Sequence, residues 1–228
     1  MALVNHSTSF IGASVDAGYN WSIAPGWTLT EGNLLIILGS LSVVPGVTAG
    51  PMSGGSGSEF NIFFKNIDAY NAAVVWSKVV EAGDVGATFT LQNLAGGTRA
   101  SQFYALEFSG GLSANRVEGV AVTNTGGNSE TLGPLTPSAA DEAIVTVLRG
   151  NGTLGSPKTL TGVTLLDSDV QFILGGMASV DTNPITAVYG WLTNRYHQAV
   201  AARFAVAGGG GAPPAPQSVG ESAGLLVE

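Results

Sequence analysis

The sequence predicts an all-β fold, an antiparallel β-sandwich of about ten to eleven strands followed by an extended C-terminal arm. Short runs rich in β-branched and aromatic residues recur along the chain and are bounded by Gly, Pro, Asn or Ser, which is the spacing of a sandwich or barrel. Glycine is abundant, with 33 residues, and favours tight turns over helices. Outside one alanine-rich segment near the C terminus, no run of helical length has an amphipathic pattern.

Three segments show how the strands are recognised. In QFYALEF, the side chains of Tyr104, Leu106 and Phe108 fall on one face, as a period of two requires. NAAVVWSKVVEAGD has apolar residues on both faces, which predicts a central strand. HQAVAARFAV contains enough alanine for a helix, but its larger residues alternate from Val200 to Phe204 and predict a strand. The other predicted strands are NLLIILGSLSVV, FNIFFKNI, GATFTLQNL, ANRVEGVAVT, DEAIVTVLRG, VQFILGGMA and TAVYGWLT, with a shorter one in ALVNHSTSF.

Two segments rich in Gly, Ser, Thr and Pro, GVTAGPMSGGSGSE and VTNTGGNSETLGPLTPSAAD, are predicted to be long loops that offer contact surfaces. We find no repeat of about 20–50 residues. Neither loop leaves enough strands on each side to close two separate cores. The sequence therefore predicts one β-sandwich domain over residues 1–207 and a Gly/Pro-rich C-terminal arm over residues 208–228.

Composition limits the possible partners. Sixteen acidic and eight basic residues give a net charge of −8, which disfavours binding to nucleic-acid phosphates. The chain has no cysteine, which excludes disulfides and thiolate metal sites. The start MALVNHSTSF lacks the regions of a signal peptide, and NLLIILGSLSVV is too short to span a bilayer. We expect neither a nucleic-acid nor a membrane partner.

Residues suited to catalysis are few. His6 and His197 are the two side chains that could act as bases near neutral pH, and each is predicted to be solvent-facing or hydrogen-bonded. No Gly-x-Ser-x-Gly elbow is present, and the glycine-rich segments lack the Gly-Lys-Ser/Thr of a phosphate-binding loop. We predict no catalytic residue, no cofactor and no enzymatic activity.

Two pairs of acidic residues lie close in sequence. Asp167 and Asp169 alternate by two and hint at a calcium site, but Gln and Phe follow where a calcium loop would supply an oxygen ligand and a glycine. The interpretation as a solvated strand terminus is therefore favoured, and no metal site is predicted. Asp141 and Glu142 are adjacent at the start of a strand, so their side chains point to opposite faces and do not form a glycosidase pair.

The four tryptophans fall into two classes. Trp76 and Trp191 lie within apolar strands and are predicted to be core residues. Trp21 and Trp27, in GYNWSIAPGWTL, are candidates for contact with a glycan or with another subunit.

The chain contains, in this order, the three stretches GWTLTEGNLLIILGSLS, VVWSKVVEAGD and FYALEFSG. Their order and spacing are more informative than any one of them alone. Together they resemble a jelly-roll-like β-sandwich module of structural proteins of tailed bacteriophage virions, which occurs in head decorations, fibres and tail-associated proteins. That family usually has Gly-Asp where this chain has Gly32-Asn33. The resemblance covers the chain from Trp27 to Phe204. It implies a non-catalytic virion protein made in the host bacterial cytoplasm.

Within that family, low charge and a flexible arm favour a capsid decoration or cement protein that assembles with itself and docks on the head, with the major capsid protein as its partner. A trimer is the assembly that similar sandwich decorations form. When extended, the arm spans up to roughly 70 Å. Leu225, Leu226 and Val227 are predicted to anchor it, and Pro213 and Pro214 reduce the entropy lost on docking.

Two alternatives come from other classes. A receptor-binding or glycan-binding module of a tail fibre or tail tip would use Trp21 and Trp27, although the chain lacks the repetitive shaft common in fibres. A polysaccharide depolymerase would need several acidic residues in one cleft and is the least favoured.

Overall fold

The fold is all-β, as predicted. The computed structural model describes residues 2–7, 13–14, 21–42, 52–56, 60–64, 71–91, 102–124, 126–169 and 171–206. These ranges contain seventeen strands, more than predicted, and one short 3-10 helix at Ala82–Asp84. All described strand pairs are antiparallel.

The strands form four sheets. Sheet A has the spatial order β1 (Leu3–His6), β9 (Gln102–Phe108), β4 (Leu34–Ser42), β7 (Asn71–Val79) and β6 (Asn61–Phe64). Sheet B has the order β2 (Ala13–Ser14), β3 (Trp21–Ile23), β8 (Phe89–Leu91) and β5 (Met52–Ser53). Sheet C has the order β10 (Leu112–Asn124), β17 (His197–Val206), β12 (Ala143–Gly150), β15 (Phe172–Ala178) and β14 (Leu165–Asp169). Sheet D has the order β11 (Ser129–Leu135), β16 (Ile185–Gly190) and β13 (Thr159–Thr161).

Three hydrophobic cores stack the sheets in the order B, A, C, D. One core lies between sheets B and A, a central core lies between sheets A and C, and a third lies between sheets C and D. Sheets A and C are therefore covered on both faces. This arrangement explains why LLIIL in β4 and AIVTVLRG in β12 are buried throughout instead of alternating between buried and exposed residues.

The same strand topology occurs twice. Strand β1 corresponds to β10, β3 corresponds to β11, and β4–β9 correspond in order to β12–β17. With this correspondence, sheet A (β1-β9-β4-β7-β6) has the same strand order as sheet C (β10-β17-β12-β15-β14). Likewise, β3-β8-β5 of sheet B has the same order as sheet D (β11-β16-β13). Strand β2 has no counterpart among the described strands of the second half. Each half is an eight-stranded sandwich of jelly-roll type. We call them the first repeat (β1 and β3–β9) and the second repeat (β10–β17).

The register of the last strand supports the equivalence. QFYALEF in β9 and QAVAARF in β17 share Gln, Ala and Phe at the same spacing. The final Phe108 pairs with Leu34, the first residue of β4, and Phe204 pairs with Ala143, the first residue of β12. All four side chains lie in the central core. The two repeats thus bury equivalent faces of sheets A and C against each other.

The turn before β4 and β12 is also repeated. Gly32 has φ of 85° and donates its N–H to the carbonyl of Val80 at 2.9 Å. In the second repeat Asp141 has φ of 68° and donates to the carbonyl of Ser179 at 2.8 Å. This backbone conformation favours glycine and is tolerated by aspartate, so the Gly-Asn and Asp-Glu sequences serve the same turn.

The structure changes several details of the prediction. The segment VTNTGGNSETLGPLTPSAAD was expected to be a loop, but it includes the end of β10 and all of β11. Strand β11 was missed because it lies at a sheet edge and buries few apolar side chains, among them Leu132 and Leu135. The two repeats share the central core. The assignment of residues 1–207 to one domain stays a prediction. The arm of residues 208–228 lies outside the described residues. No helix in the described ranges is long and apolar enough to cross a membrane.

The central core predicts a large effect of truncating one of its side chains. Leu38 is fully buried in that core. We expect Leu38→Ala to lower the free energy of unfolding by about 2–5 kcal/mol, because it removes buried methyl groups and leaves a cavity. Val180→Ala is the control, since Val180 is 82% exposed. Equal urea-unfolding midpoints for the two variants would contradict a packed interface between sheets A and C.

Candidate functional site

Of the residues predicted to bind a partner, the structure describes Trp21 and Trp27. Trp21 is buried in the core between sheets A and B, with its ring centroid 5.5 Å from that of Phe103. This placement argues against Trp21 as a stacking surface for a sugar. Trp27 is partly buried against the same core, and its indole N–H donates to Glu107. Leu225, Leu226, Val227, Pro213 and Pro214 fall outside the described residues, so their role as partner-binding residues stays a prediction.

Glu107 is the centre of a buried hydrogen-bond cluster in the first repeat. Its side chain is fully buried. One carboxylate oxygen accepts from the side chains of Asn5 at 2.9 Å and Trp27 at 2.7 Å. The other accepts from the backbone N–H of Thr30 and the side chain of Asn33, both at 2.8 Å. Burial alone would raise the pKa of this carboxyl, but the four hydrogen bonds outweigh it and hold the pKa of Glu107 below its usual range.

The second repeat has a cluster at the equivalent place whose central residue carries the opposite charge. Arg203 in β17 occupies the register position that Glu107 has in β9, one residue before the shared Phe. Its guanidinium donates to Glu142 at 2.5 Å and to Glu118 at 3.1 Å. Glu118 also accepts from the backbone N–H of Thr136 at 2.8 Å. In each repeat a charged residue of the last strand binds the first strand and the turn before the third strand; Glu107 is fully buried and the side chain of Arg203 is 11% exposed.

A buried ion pair in the first repeat fixes the 3-10 helix. The ammonium of Lys78 lies 2.8 Å from a carboxylate oxygen of Asp84, and both side chains are buried. Asp84 also accepts from the backbone N–H groups of Ser56 at 2.9 Å and Glu81 at 2.8 Å. Burial raises the pKa of Asp84, but Lys78 and these backbone donors outweigh it, so the pKa is lowered.

The acidic residues considered for calcium binding lie at the seam between the repeats. The side-chain amide of Gln102, in β9, donates to Asp169, in β14, at 2.5 Å. Tyr104 bonds to Asp167, and burial together with this aspartate raises the pKa of the phenol. Burial lowers the pKa of Arg149 to about 10, and nearby Asp169 partly opposes that shift. In the described part of the chain, no three His, Cys, Asp or Glu side chains come together as metal ligands.

The other candidates have structural surroundings. Asp141 is exposed in the turn before β12, whereas Glu142 is buried against Arg203. His6 is half-buried near the carbonyl of Ser7. Trp76 and Trp191 are buried, which confirms their prediction as core residues.

His197 joins the core of the second repeat to a cluster of loops. The ring is fully buried, with Nε2 2.8 Å from the carboxylate of Glu130 and Nδ1 3.1 Å from the carbonyl of Arg195. Each ring nitrogen thus has a hydrogen-bond partner within the fold. The ring meets Trp191 edge-on, with centroids 4.8 Å apart. These contacts connect the loop between β16 and β17, which contains Trp191 and Arg195, to Glu130 in β11.

A shallow pocket opens beside Trp191. It has a volume of about 210 Å³, and its lining residues are Asn128, Pro157, Thr159, Gly190, Trp191 and Leu192. Backbone hydrogen bonds tie its walls together, since Trp191 donates to Asn128 at 3.0 Å and Thr193 donates to Leu154 at 2.8 Å. Leu192 is 65% exposed at its rim. The pocket is open to solvent on one side.

Two charged residues at inward-facing strand positions are the sequence feature that points to these clusters. Glu107 and Arg203 are charged residues at positions that the alternation assigns to a buried face. A charge at such a position requires partners, because an unpaired buried charge is costly. No residue pattern, in contrast, predicted the pocket, because its lining comes from three segments that are far apart in the sequence.

No protein-family model matches the chain, and no curated protein or solved structure is significantly similar to it. The resemblance to phage virion modules therefore stays a prediction.

The Glu107 cluster predicts a pH-dependent loss of stability. Because the folded pKa is lowered, the carboxylate contributes stability above its unfolded pKa, and that contribution is lost as the pH falls through the folded value. We expect Glu107→Gln to cost about 1–3 kcal/mol at pH 7, since the new amide turns a donor toward other donors. The difference from wild type should shrink as the pH falls below about 4. Unfolding titrations across pH test this, with exposed Glu31→Gln as control; a pH-independent difference would refute it.

The Arg203 cluster predicts a cost that a second substitution relieves. Arg203→Met leaves Glu142 buried without its cation, so we expect a loss of about 3–5 kcal/mol in unfolding free energy. Adding Glu142→Gln to that variant should recover part of the loss, because it removes the uncompensated charge. Lys158→Met, in the loop before β13, serves as the matched control. Strictly additive effects of the two substitutions would show that Arg203 and Glu142 do not interact.

Proposed function

We propose that this chain is a non-enzymatic structural protein of a tailed-phage virion, a capsid decoration or cement protein that assembles with itself and docks on the head. The major capsid protein is the proposed partner, and the proposed location is the virion. The proposal rests on the resemblance of three sequence stretches to virion modules and on the way in which the structure uses its charged residues.

The observation that carries the proposal is the structural use of buried charge. Lys78, Glu107 and Glu142 are at most 3% exposed, and each contacts partners within the fold. These contacts fix turns and the ends of strands. Buried, fully partnered charges hold a unique geometry, which a subunit of a repetitive lattice requires.

The outer face of sheet D is suited to contact with other subunits. Thr131 and Thr161 are exposed on it, and Val188, which pairs with both, is 38% exposed between them. Charged residues are depleted at the centre of protein interfaces, because their desolvation is costly. A neutral, threonine-rich sheet face can therefore be covered by another protein at low cost.

The C-terminal arm supplies the proposed attachment. Its Gly/Pro-rich sequence cannot form a core of its own, and it ends in the apolar residues Leu225, Leu226 and Val227. Burial of three such side chains on a neighbouring protein is worth several kcal/mol before the entropy of ordering is subtracted.

A receptor-binding or glycan-binding module of the phage tail is the second candidate. The observation that favours it is the pocket beside Trp191, since Trp21 and Trp27 contribute their rings to the core and its margin. A rigid sandwich that presents loops at one end is compatible with either location on the particle.

The arm is tested by its deletion. We expect removal of residues 208–228 to leave the circular dichroism spectrum and melting temperature nearly unchanged and to weaken binding to heads that lack this protein by tenfold or more, because each 1.4 kcal/mol of lost contact is about tenfold. Replacing Leu225, Leu226 and Val227 by Ser should have most of the same effect. Co-sedimentation of purified protein with such heads provides the measurement.

The matched control is Ser218→Ala, which lies in the arm outside its apolar end. If full-length protein fails to co-sediment with heads, head docking is refuted. If the deletion variant binds as tightly as the full chain, the proposed role of the arm is refuted while head docking stands.

A further inference from the structure

We propose that the pocket beside Trp191 binds a neutral saccharide, at the scale of one terminal sugar residue of a glycan. The inference concerns the second repeat alone and holds wherever the protein sits on a particle. It places the glycan contact at the exposed residues around Trp191, whose own ring is largely buried, instead of at Trp21 and Trp27.

The size of the pocket fits one sugar ring. Its volume of about 210 Å³ lies below the range of about 300–1,000 Å³ typical of pockets for drug-sized ligands. A longer glycan would therefore place one residue in the pocket and extend across the open rim. Leu192 and Pro157, both exposed, border that rim and offer apolar surface to the C–H groups of a sugar.

The chemistry of the lining selects a neutral, hydroxyl-rich ligand. Asn128 and Thr159 supply an amide and a hydroxyl that can donate and accept hydrogen bonds, and the edge of the largely buried Trp191 ring completes the wall. None of the lining residues is charged, so the pocket offers no cation to a phosphate or a carboxylate.

The walls of the pocket are held in place before any ligand arrives. His197 packs edge-on against Trp191 and is itself bonded to Glu130. Arg195 donates its backbone N–H to Gly127 at 2.8 Å and its side-chain Nε–H to Thr153 at 3.2 Å. These bonds join the three loops that form the pocket. A rigid site loses less entropy when it binds a weakly held ligand such as a monosaccharide.

Binding is tested with ¹⁵N-labelled full-length protein by two-dimensional NMR. The probes are methyl glucoside, methyl galactoside and N-acetylglucosamine, with glucuronic acid and glucose 6-phosphate as anionic counterparts. We expect at least one neutral sugar to shift the Trp191 indole N–H signal and the backbone amides of Thr159 and Leu192, with millimolar affinity. The anionic sugars should bind at least fivefold more weakly.

Substitutions in the lining locate the site. We expect Thr159→Ala and Asn128→Ala each to weaken the binding about fivefold or more, since each removes hydrogen bonds to the ligand. Thr161→Ala is the matched control, because Thr161 is exposed two residues further along the same strand and does not line the pocket. Asn128 and Thr159 are exposed, so we expect alanine to be tolerated at each position. The NMR spectrum reports whether each variant is folded.

Three results would overturn the proposal. The first is that none of the three neutral sugars produces a shift at Trp191, Thr159 or Leu192 up to 50 mM, a concentration well above the expected millimolar dissociation constants. The second is equal or tighter binding of the anionic sugars. The third is binding that Thr159→Ala and Asn128→Ala leave unchanged. None of these results bears on head docking, which is measured on particles.

Discussion

The packing of sheet A against sheet C is the interaction on which the rest of the structure depends. It buries the same face of both repeats, including Phe108 and Phe204, in one central core. Because β4 and β12 are apolar on both faces, packing on one side alone would leave the other exposed to water. Sheets B and D cover those outer faces, and their strands in turn carry the loops. The four-layer order thus follows from two strands that require burial on both sides.

The two repeats solve the same local problem with opposite charges. Each must hold the turn before its third strand against its first and last strands at the end of the sandwich. The first repeat uses an acceptor, Glu107, surrounded by four donors. The second uses a donor, Arg203, placed between Glu118 and Glu142. A charge satisfied by several hydrogen bonds fixes this geometry in either case.

Sequence periodicity predicts the all-β class and most of the long strands, because apolar residues at strand spacing report directly on burial. Short edge strands such as β11 and β13 bury few side chains, so their sequences resemble loops. The duplication is hidden because its period is close to a hundred residues and because the aligned segments of the two last strands share only Gln, Ala and Phe. The pocket cannot be predicted from sequence, since Asn128, Thr159 and Trp191 meet only when three loops converge.

The proposed role as a structural subunit rests on buried charges that are bonded within the fold, on a neutral sheet face and on an arm sequence with three apolar residues near its end. Cryo-electron microscopy of purified particles of a tailed phage whose genome encodes this chain tests the proposal most directly. The proposal predicts density for the four-layer stack in many symmetry-related copies on the head, with the arm reaching a neighbouring protein. Particles that contain no copy of this chain on the head would contradict it.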